Sequence, residues 1–262
     1  MKRYVAVGSI FMFFFGGAYF TILYYLPIYF QSIQNSSPIG SGVKMLALIV
    51  PLTIAAITQG FALTKIGIVP MFWLIGGTLG TVGCGLFYTM DQETSIGKWI
   101  GYQIIVGFTV GLTFQVALAN AQVHASPEDM SQVTAIVNCK FPDPTIARLA
   151  CLLTSDLVFV TVGGSFFLSA AQCGFNNQVL KQLAIDLPDV DPAVALGTGA
   201  TQIRDAFTAS QVPFVLDAYV SGLKAVFAIT ITAFGISTIV GCFGSWERLN
   251  AEKVQKATTG AA

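Results

Sequence analysis

Long apolar runs, each closed by a short polar break, constrain this chain more than any motif in it. A helix that crosses the hydrocarbon core of a bilayer needs about 20 predominantly apolar residues. Stretches at about 4–30, 43–63, 69–90, 99–122 and 219–245 meet that requirement. The segments between the first four, QNSSPIGSG (34–42), TKIGIVP (64–70) and DQETSIGK (91–98), carry breakers or charge. They are too short for soluble domains, so neighbouring helices are expected to pack antiparallel. Composition agrees, with 54% hydrophobic and 10% charged residues, where a soluble domain carries about 25% charged. The run after Lys2 and Arg3 extends from Tyr4 to about Phe30 and ends in YYLPIYFQ. It is too long for a signal core and lacks a small-residue cleavage site, so it reads as a span.

A sixth span is interrupted. QVTAIVN (132–138) begins it and FVTVGGSFFLSAAQCGF (159–175) would complete it. Between them CKFPDPTIARLACLLTSDLV (139–158) brings prolines, basic residues and aspartates, which are expensive in lipid. The favoured reading is an insertion over 139–157. Cys139-Lys140-Phe141 is encodable with a splice donor and Leu157-Val158 with an acceptor, so a retained intron would account for it. The alternative is a genuine loop between two half-helices, for which Leu149–Leu153 is apolar enough. Residues 176–218 are expected as an external loop, with a short helix that aligns Leu196, Ile203 and Phe207. Residues 246–262 are expected as a cytoplasmic tail.

With six spans both ends share one side, which carries Lys2, Arg3, Lys65, Arg248, Lys253 and Lys256. The other side carries Lys44, Lys98, Lys181, Arg204 and Lys224. This slight excess predicts cytoplasmic termini, and the plasma membrane is the expected location. Asn35-Ser36-Ser37 is a glycosylation sequon on the opposite side, very close to the bilayer. Thirteen basic residues balance thirteen acidic ones, so no net field points to nucleic acid. Five unpaired-looking cysteines and a single histidine, His124, give no disulfide frame and no metal site. No cofactor is expected.

Within the spans, Gly76, Gly80 and Gly83 continue one face, and Gly107 with Gly111 repeats the small-xxx-small spacing. Such residues let helix backbones approach closely in lipid, so packing is their expected role. Polar residues inside spans are the better pointers to a substrate path: Gln59, and on the fourth span Gln103, Gln115, Asn120 and Gln122. An amide wants partners, which favours a bundle interior or a wet cavity, and interhelical hydrogen bonding competes with substrate contact at each position. Tyr24, Tyr25 and Tyr29 read as interfacial anchors. No acidic residue lies deep in a clean span, and no HExxH, P-loop or GxSxG triad is present, so a membrane enzyme is disfavoured.

The run YFTILYYLPIYFQSIQNSSPIGSGVKMLALIVP (19–51) resembles the fungal fourteen-span drug:proton antiporters of the major facilitator superfamily. GKWIGYQIIVGFTVGLTFQ (97–115), SPEDMSQVTAI (126–136), TVGGSFFLSAAQ (161–172) and ATQIRDAF (200–207) extend the resemblance in order along the chain. It implies an all-α fold made of the C-terminal six-span half of such a transporter, with a long external loop before the last span. The implied function is multidrug or secondary-metabolite efflux: proton-coupled export of small amphipathic organic molecules across the lipid bilayer. The family's N-terminal spans and their motifs are missing here, so the open side is expected to need that half or a second copy. A non-transporting membrane fragment or partner and an uptake carrier of the same fold are the alternative readings.

Overall fold

The computed structural model describes residues 3–123, 144–188, 197–244 and 246, and among them it is all-helical. The helices are α1 (Arg3–Ser32), α2 (Pro38–Ile66), α3 (Val69–Tyr88), α4 (Ile96–Val123), α5 (Pro144–Asp186), the short α6 (Ile203–Ala206) and α7 (Val212–Cys242). Five contain windows long and apolar enough to cross a membrane: Ala6–Ser32, Pro38–Ile66, Val69–Tyr88, Val158–Asp186 and Val212–Cys242. The chain is a multi-pass membrane protein.

Local chemistry sets the boundaries. Asn35 adopts φ 49° between α1 and α2, a left-handed conformation that Asn tolerates better than most residues. Ser37 then caps α2 by accepting a hydrogen bond from the Gly40 N–H, and Pro38 occupies the first turn. At the far end Gly67 takes φ 69° and its N–H bonds to the Leu63 carbonyl, the glycine stop expected of a helix C-terminus. Between α3 and α4, Asp91 Oδ1 accepts from the Glu93 N–H and the Thr94 hydroxyl, while Tyr29 on α1 donates to the Asp91 carbonyl at 2.8 Å.

Close glycine contacts reveal the directions of the helices. A Cβ on Gly107 would strike the Leu48 carbonyl, and one on Gly111 the Leu52 carbonyl, so α4 and α2 run parallel. Gly163 abuts the Phe13 carbonyl and Gly17 the Phe167 ring, so α5 and α1 also run parallel. Gly76 and Gly83 of α3 meet Thr113 and Val106 of α4, and Gly77 and Gly80 meet Thr238 and Phe234 of α7, both antiparallel. Helix α7 also packs on α1, where Phe15 meets Phe234 edge to face at 5.1 Å. Two three-helix sets, α1–α2–α3 and α4–α5–α7, therefore exchange partners by the same rule. The first helix of each lies along the second of the other, and the two third helices pair. Their senses are opposite, which is the inverted-repeat arrangement of secondary transporters.

Helix α5 departs from the sequence reading. Residues 158–186 alone are long enough to span, and the helix continues to Asp186 instead of ending at 175. The expected contribution of 132–138 lies outside the described residues, as do 139–143, whereas 144–157 belong to the same helix as 158–186. The connection between α5 and α7 is correspondingly shorter than the expected 176–218: 176–186 are helical and α7 begins at Val212. The cause is packing. Val179 and Leu183 are fully buried, Gly222 lets α7 approach Phe175 and Val179, and Gln178 Nε2 donates to Ser221 Oγ at 3.0 Å. Of the short-helix face, Ile203 and Phe207 are buried and Leu196 lies outside the described residues. The tail beyond 246 lies outside them as well.

Candidate functional site

A groove of about 350 Å³ opens between α1 and α5, lined by Phe20, Leu23, Tyr24, Thr161, Gly164, Ser165 and Leu168. It falls within the size range of small-molecule sites, roughly 300–1,000 Å³. Glycines create it. With no side chain at Gly16, Gly17, Gly163 and Gly164 the two helices approach closely, and the Phe20 ring sits against Gly164 where a Cβ would be 2.8 Å away. Phe20 and Tyr24 remain 40% and 55% exposed on this face. Across from them Ser165 donates to the Thr161 carbonyl at 3.0 Å. Its donor is thus satisfied inside the helix and its lone pairs stay available to a ligand. The wall is aromatic and apolar with a few hydroxyls, and it holds no Asp, Glu, His, Lys or Arg.

Exposed apolar side chains run along α2 and along the α5 wall of the groove. On α2, Ile39, Val43, Leu46, Val50, Ile54, Ile57 and Phe61 form one continuous exposed seam at helical spacing. Helix α5 adds Val158, Val162 and Phe166. Only 22% of the best spanning window of α2 is buried, against 56% for α1, so α2 is peripheral in this bundle.

The amides singled out in the sequence lie elsewhere. Gln59 is 2% exposed and its Nε2 has no partner, while Gln103 is fully buried with neither amide atom paired. Both sit on the helices of the α2–α4 pair, not in the groove lining. Gln115, Asn120 and Gln122 are on α4, but their side chains fall outside the described set. Asn35 is exposed in the α1–α2 turn. The tyrosine reading is corrected: Tyr25 and Tyr29 are 2% and 1% exposed, hence core residues, and Tyr24 faces the groove. Positions 25 and 29 are one turn apart and point inward, where Tyr25 meets Phe175 at 5.6 Å. Sequence reasoning missed the groove residues because Phe20, Thr161 and Ser165 carry no unusual chemistry. The available signal was the pair of Gly-Gly steps, 16–17 and 163–164, which marks where α1 and α5 touch.

No family model matches the chain. No solved structure matches it either. Curated relatives do. The protein named "Probable efflux pump gsfJ" of Penicillium aethiopicum is 67% identical over 100% of this chain and 44% of its own length. "MFS-type transporter grgE" of Penicillium sp is 42% identical over 95% of this chain and 41% of its own length. The "Dehydrocurvularin exporter" of Alternaria cinerariae is 31% identical over 88% and 37%, respectively. The chain spans about half the length of the curated relatives it matches. Sequence relatives along almost its whole length, an all-helical membrane bundle and the exchanged three-helix sets agree: the chain belongs to the major facilitator family of transporters and efflux pumps.

Proposed function

We propose that the chain supplies one wall of the translocation path of an efflux transporter that exports small amphipathic organic molecules. It corresponds to the C-terminal half of a fourteen-span drug:proton antiporter. It acts as a carrier and not as an enzyme, resides in the plasma membrane and has both termini in the cytoplasm. The observation that carries the reading is the aromatic, hydroxyl-edged α1–α5 groove, together with the apolar side chains of α2 and α5 that are exposed among the described residues. Alternating access rocks two such bundles around a site between them. A second bundle would convert the open groove into an enclosed path, and relatives about twice as long as this chain support that arrangement. Gln59, Gln103, Gln115, Asn120 and Gln122 belong to the supporting helices of this path, and Gly76, Gly80, Gly83, Gly107 and Gly111 to its packing. A glycan at Asn35 would lie on the external side.

The test starts from the transcript. The reading frame is sequenced upstream of Met1 and across 139–157, and the longest product and this chain alone are expressed in cells stripped of endogenous efflux pumps. Secreted, fluorescent amphipathic compounds are followed in inside-out vesicles with and without a proton gradient. Gradient-driven uptake into those vesicles by the longer product, and none by this chain alone, is the expected result. Flux in the opposite sense would make it an uptake carrier, and no flux by either would leave a non-transporting membrane protein.

A further inference from the structure

Between α5 and α7 the chain meets the end of the bundle where α1 stops. Ile203 and Phe207 are 1% and 8% exposed there, so the turn that carries the short α6 is seated by its apolar side chains. The Arg204 guanidinium donates from Nη2 to the carbonyl of Ile33, one residue past the end of α1, at 3.3 Å. A basic side chain suits the carbonyls left open at a helix C-terminus. The Tyr219 hydroxyl on α7 donates to the Thr198 carbonyl at 3.4 Å. Both bonds are longer than usual, so they fasten the segment weakly.

Behind Tyr219 a row of rings runs to the groove. Tyr219 meets Phe175 of α5 edge to face at 5.5 Å, Phe175 meets Tyr25 of α1 at 5.6 Å, and Tyr25 meets its neighbour Tyr24 edge to face at 5.2 Å. Tyr219, Phe175 and Tyr25 are buried, whereas Tyr24 stands in the groove wall. Gly222 keeps the row tight, since a Cβ there would lie 2.8 Å from the Phe175 ring. Close-packed groups of this kind move together or repack in discrete steps. A displacement at Thr198 thus has a short packed route to Tyr24, and Ile33 gives the same segment a second hold on α1.

We propose that residues 197–207 are a strap whose seating sets the width of the α1–α5 groove. Seated, the strap holds the end of α1 through Arg204 and keeps Tyr219 against Phe175, so that Tyr25 fixes Tyr24 at the groove. Released, it frees the end of α1 and loosens the row of rings behind Tyr24. The weak hydrogen bonds make release accessible, and burial of Ile203 and Phe207 brings the segment back. Contact becomes coupling only where a change at one end moves the other. The strap acts on the shape of the groove, which is separate from whether the chain moves a substrate.

The full chain, with its five cysteines changed to serine and a trifluoromethyl label attached through Ser165→Cys, is held in lipid nanodiscs and followed by ¹⁹F resonance. Ser165 is exposed in the α5 wall, so the ring currents of Phe20 and Tyr24 report the groove at the label. Arg204→Gln and Tyr219→Phe are each expected to displace the resonance in the same direction, since each undoes one fastening. Arg204→Lys, which keeps a donor for Ile33, and Asp205→Asn, exposed on the same short helix, are expected to leave it in place. Once Phe175→Leu breaks the row of rings, Tyr219→Phe should add no further displacement, and that non-additivity marks a shared route. Should Phe175→Leu lose its helical circular dichroism, the Arg204 and Tyr219 variants decide alone, because they leave the buried rings in place. A resonance unmoved by Arg204→Gln or Tyr219→Phe, moved as far by Arg204→Lys or Asp205→Asn, or moved additively in the folded Phe175→Leu chain would overturn the proposal.

Discussion

At the scale of single residues, glycine does two different things in these helices. Gly107 touches the backbone of α2 at Leu48, whereas a Cβ on Gly85 would meet nothing within 4 Å. Gly107→Val must therefore push two parallel helices apart, and a loss of about 1–3 kcal/mol is expected. Gly85→Ala removes only backbone freedom and should stabilise α3 by up to about 1 kcal/mol. Thermal unfolding of both variants in mild detergent measures the contrast, and equal midpoints would mean that the α2–α4 contact is not tight. The tyrosines make a second pair. Tyr25→Ala empties a buried ring position and should cost about 3–5 kcal/mol. Tyr24→Ala should leave the midpoint nearly unchanged and, in the longer transporter proposed above, lower export as measured by vesicle flux. The spacing of Gly76, Gly80, Gly107 and Gly111 was readable from the sequence because lipid-embedded packing rewards small residues at fixed intervals. Which helix each glycine meets was not readable, since Gly76 and Gly80 share a face yet contact α4 and α7, respectively.

At the scale of elements, α5 is the informative case. Its 43 residues make a helix about 65 Å long, roughly twice the thickness of the hydrocarbon core. Part of it must stand outside the bilayer. The spanning window Val158–Asp186 is self-sufficient, which leaves 144–157, with Arg148 and Asp156, as the part free to project. A chain lacking 139–157 is therefore expected to insert α5 in the same sense as the full chain. Labelling of cysteines placed on either side of the membrane, at positions 187 and 246, checks it; a reversed or absent span would assign 139–157 to the membrane path. The apolar runs at about 4–30, 43–63, 69–90 and 99–122 overlap α1 to α4, whose ends lie at short breaks with Gly, Pro or Asp. The ends of α5 and the start of α7 were misjudged, because polar residues such as Asn176, Asn177 and Gln178 look like loop until Val179, Leu183 and Gly222 bring two helices together beyond the core.

At the scale of the whole molecule, the inside and the outside of this bundle are nearly equally apolar, so burial and not hydropathy distinguishes them. Phe11, Phe15, Trp73, Phe87, Phe227 and Phe234 are fully enclosed, while the α2 seam from Ile39 to Phe61 presents side chains of the same chemistry outward. Lipid tails solvate such a seam as well as a protein partner would, which is why the sequence could identify spans but not which faces are covered. The position of Ile54, 54% exposed in the middle of that seam, makes the alternatives measurable. An Ile54→Trp variant of the chain alone, in bilayers containing brominated lipids, is expected to lose a larger share of its fluorescence than the parent chain, because the added indole meets the acyl tails. In the longer transporter proposed above, the same indole should be shielded and the added quenching should fall away, since a second bundle would close over α2. Equal quenching in both would mean that α2 faces lipid in the assembled protein. The translocation path would then have to be closed along α1 and α5 alone, around Phe20, Tyr24 and Ser165.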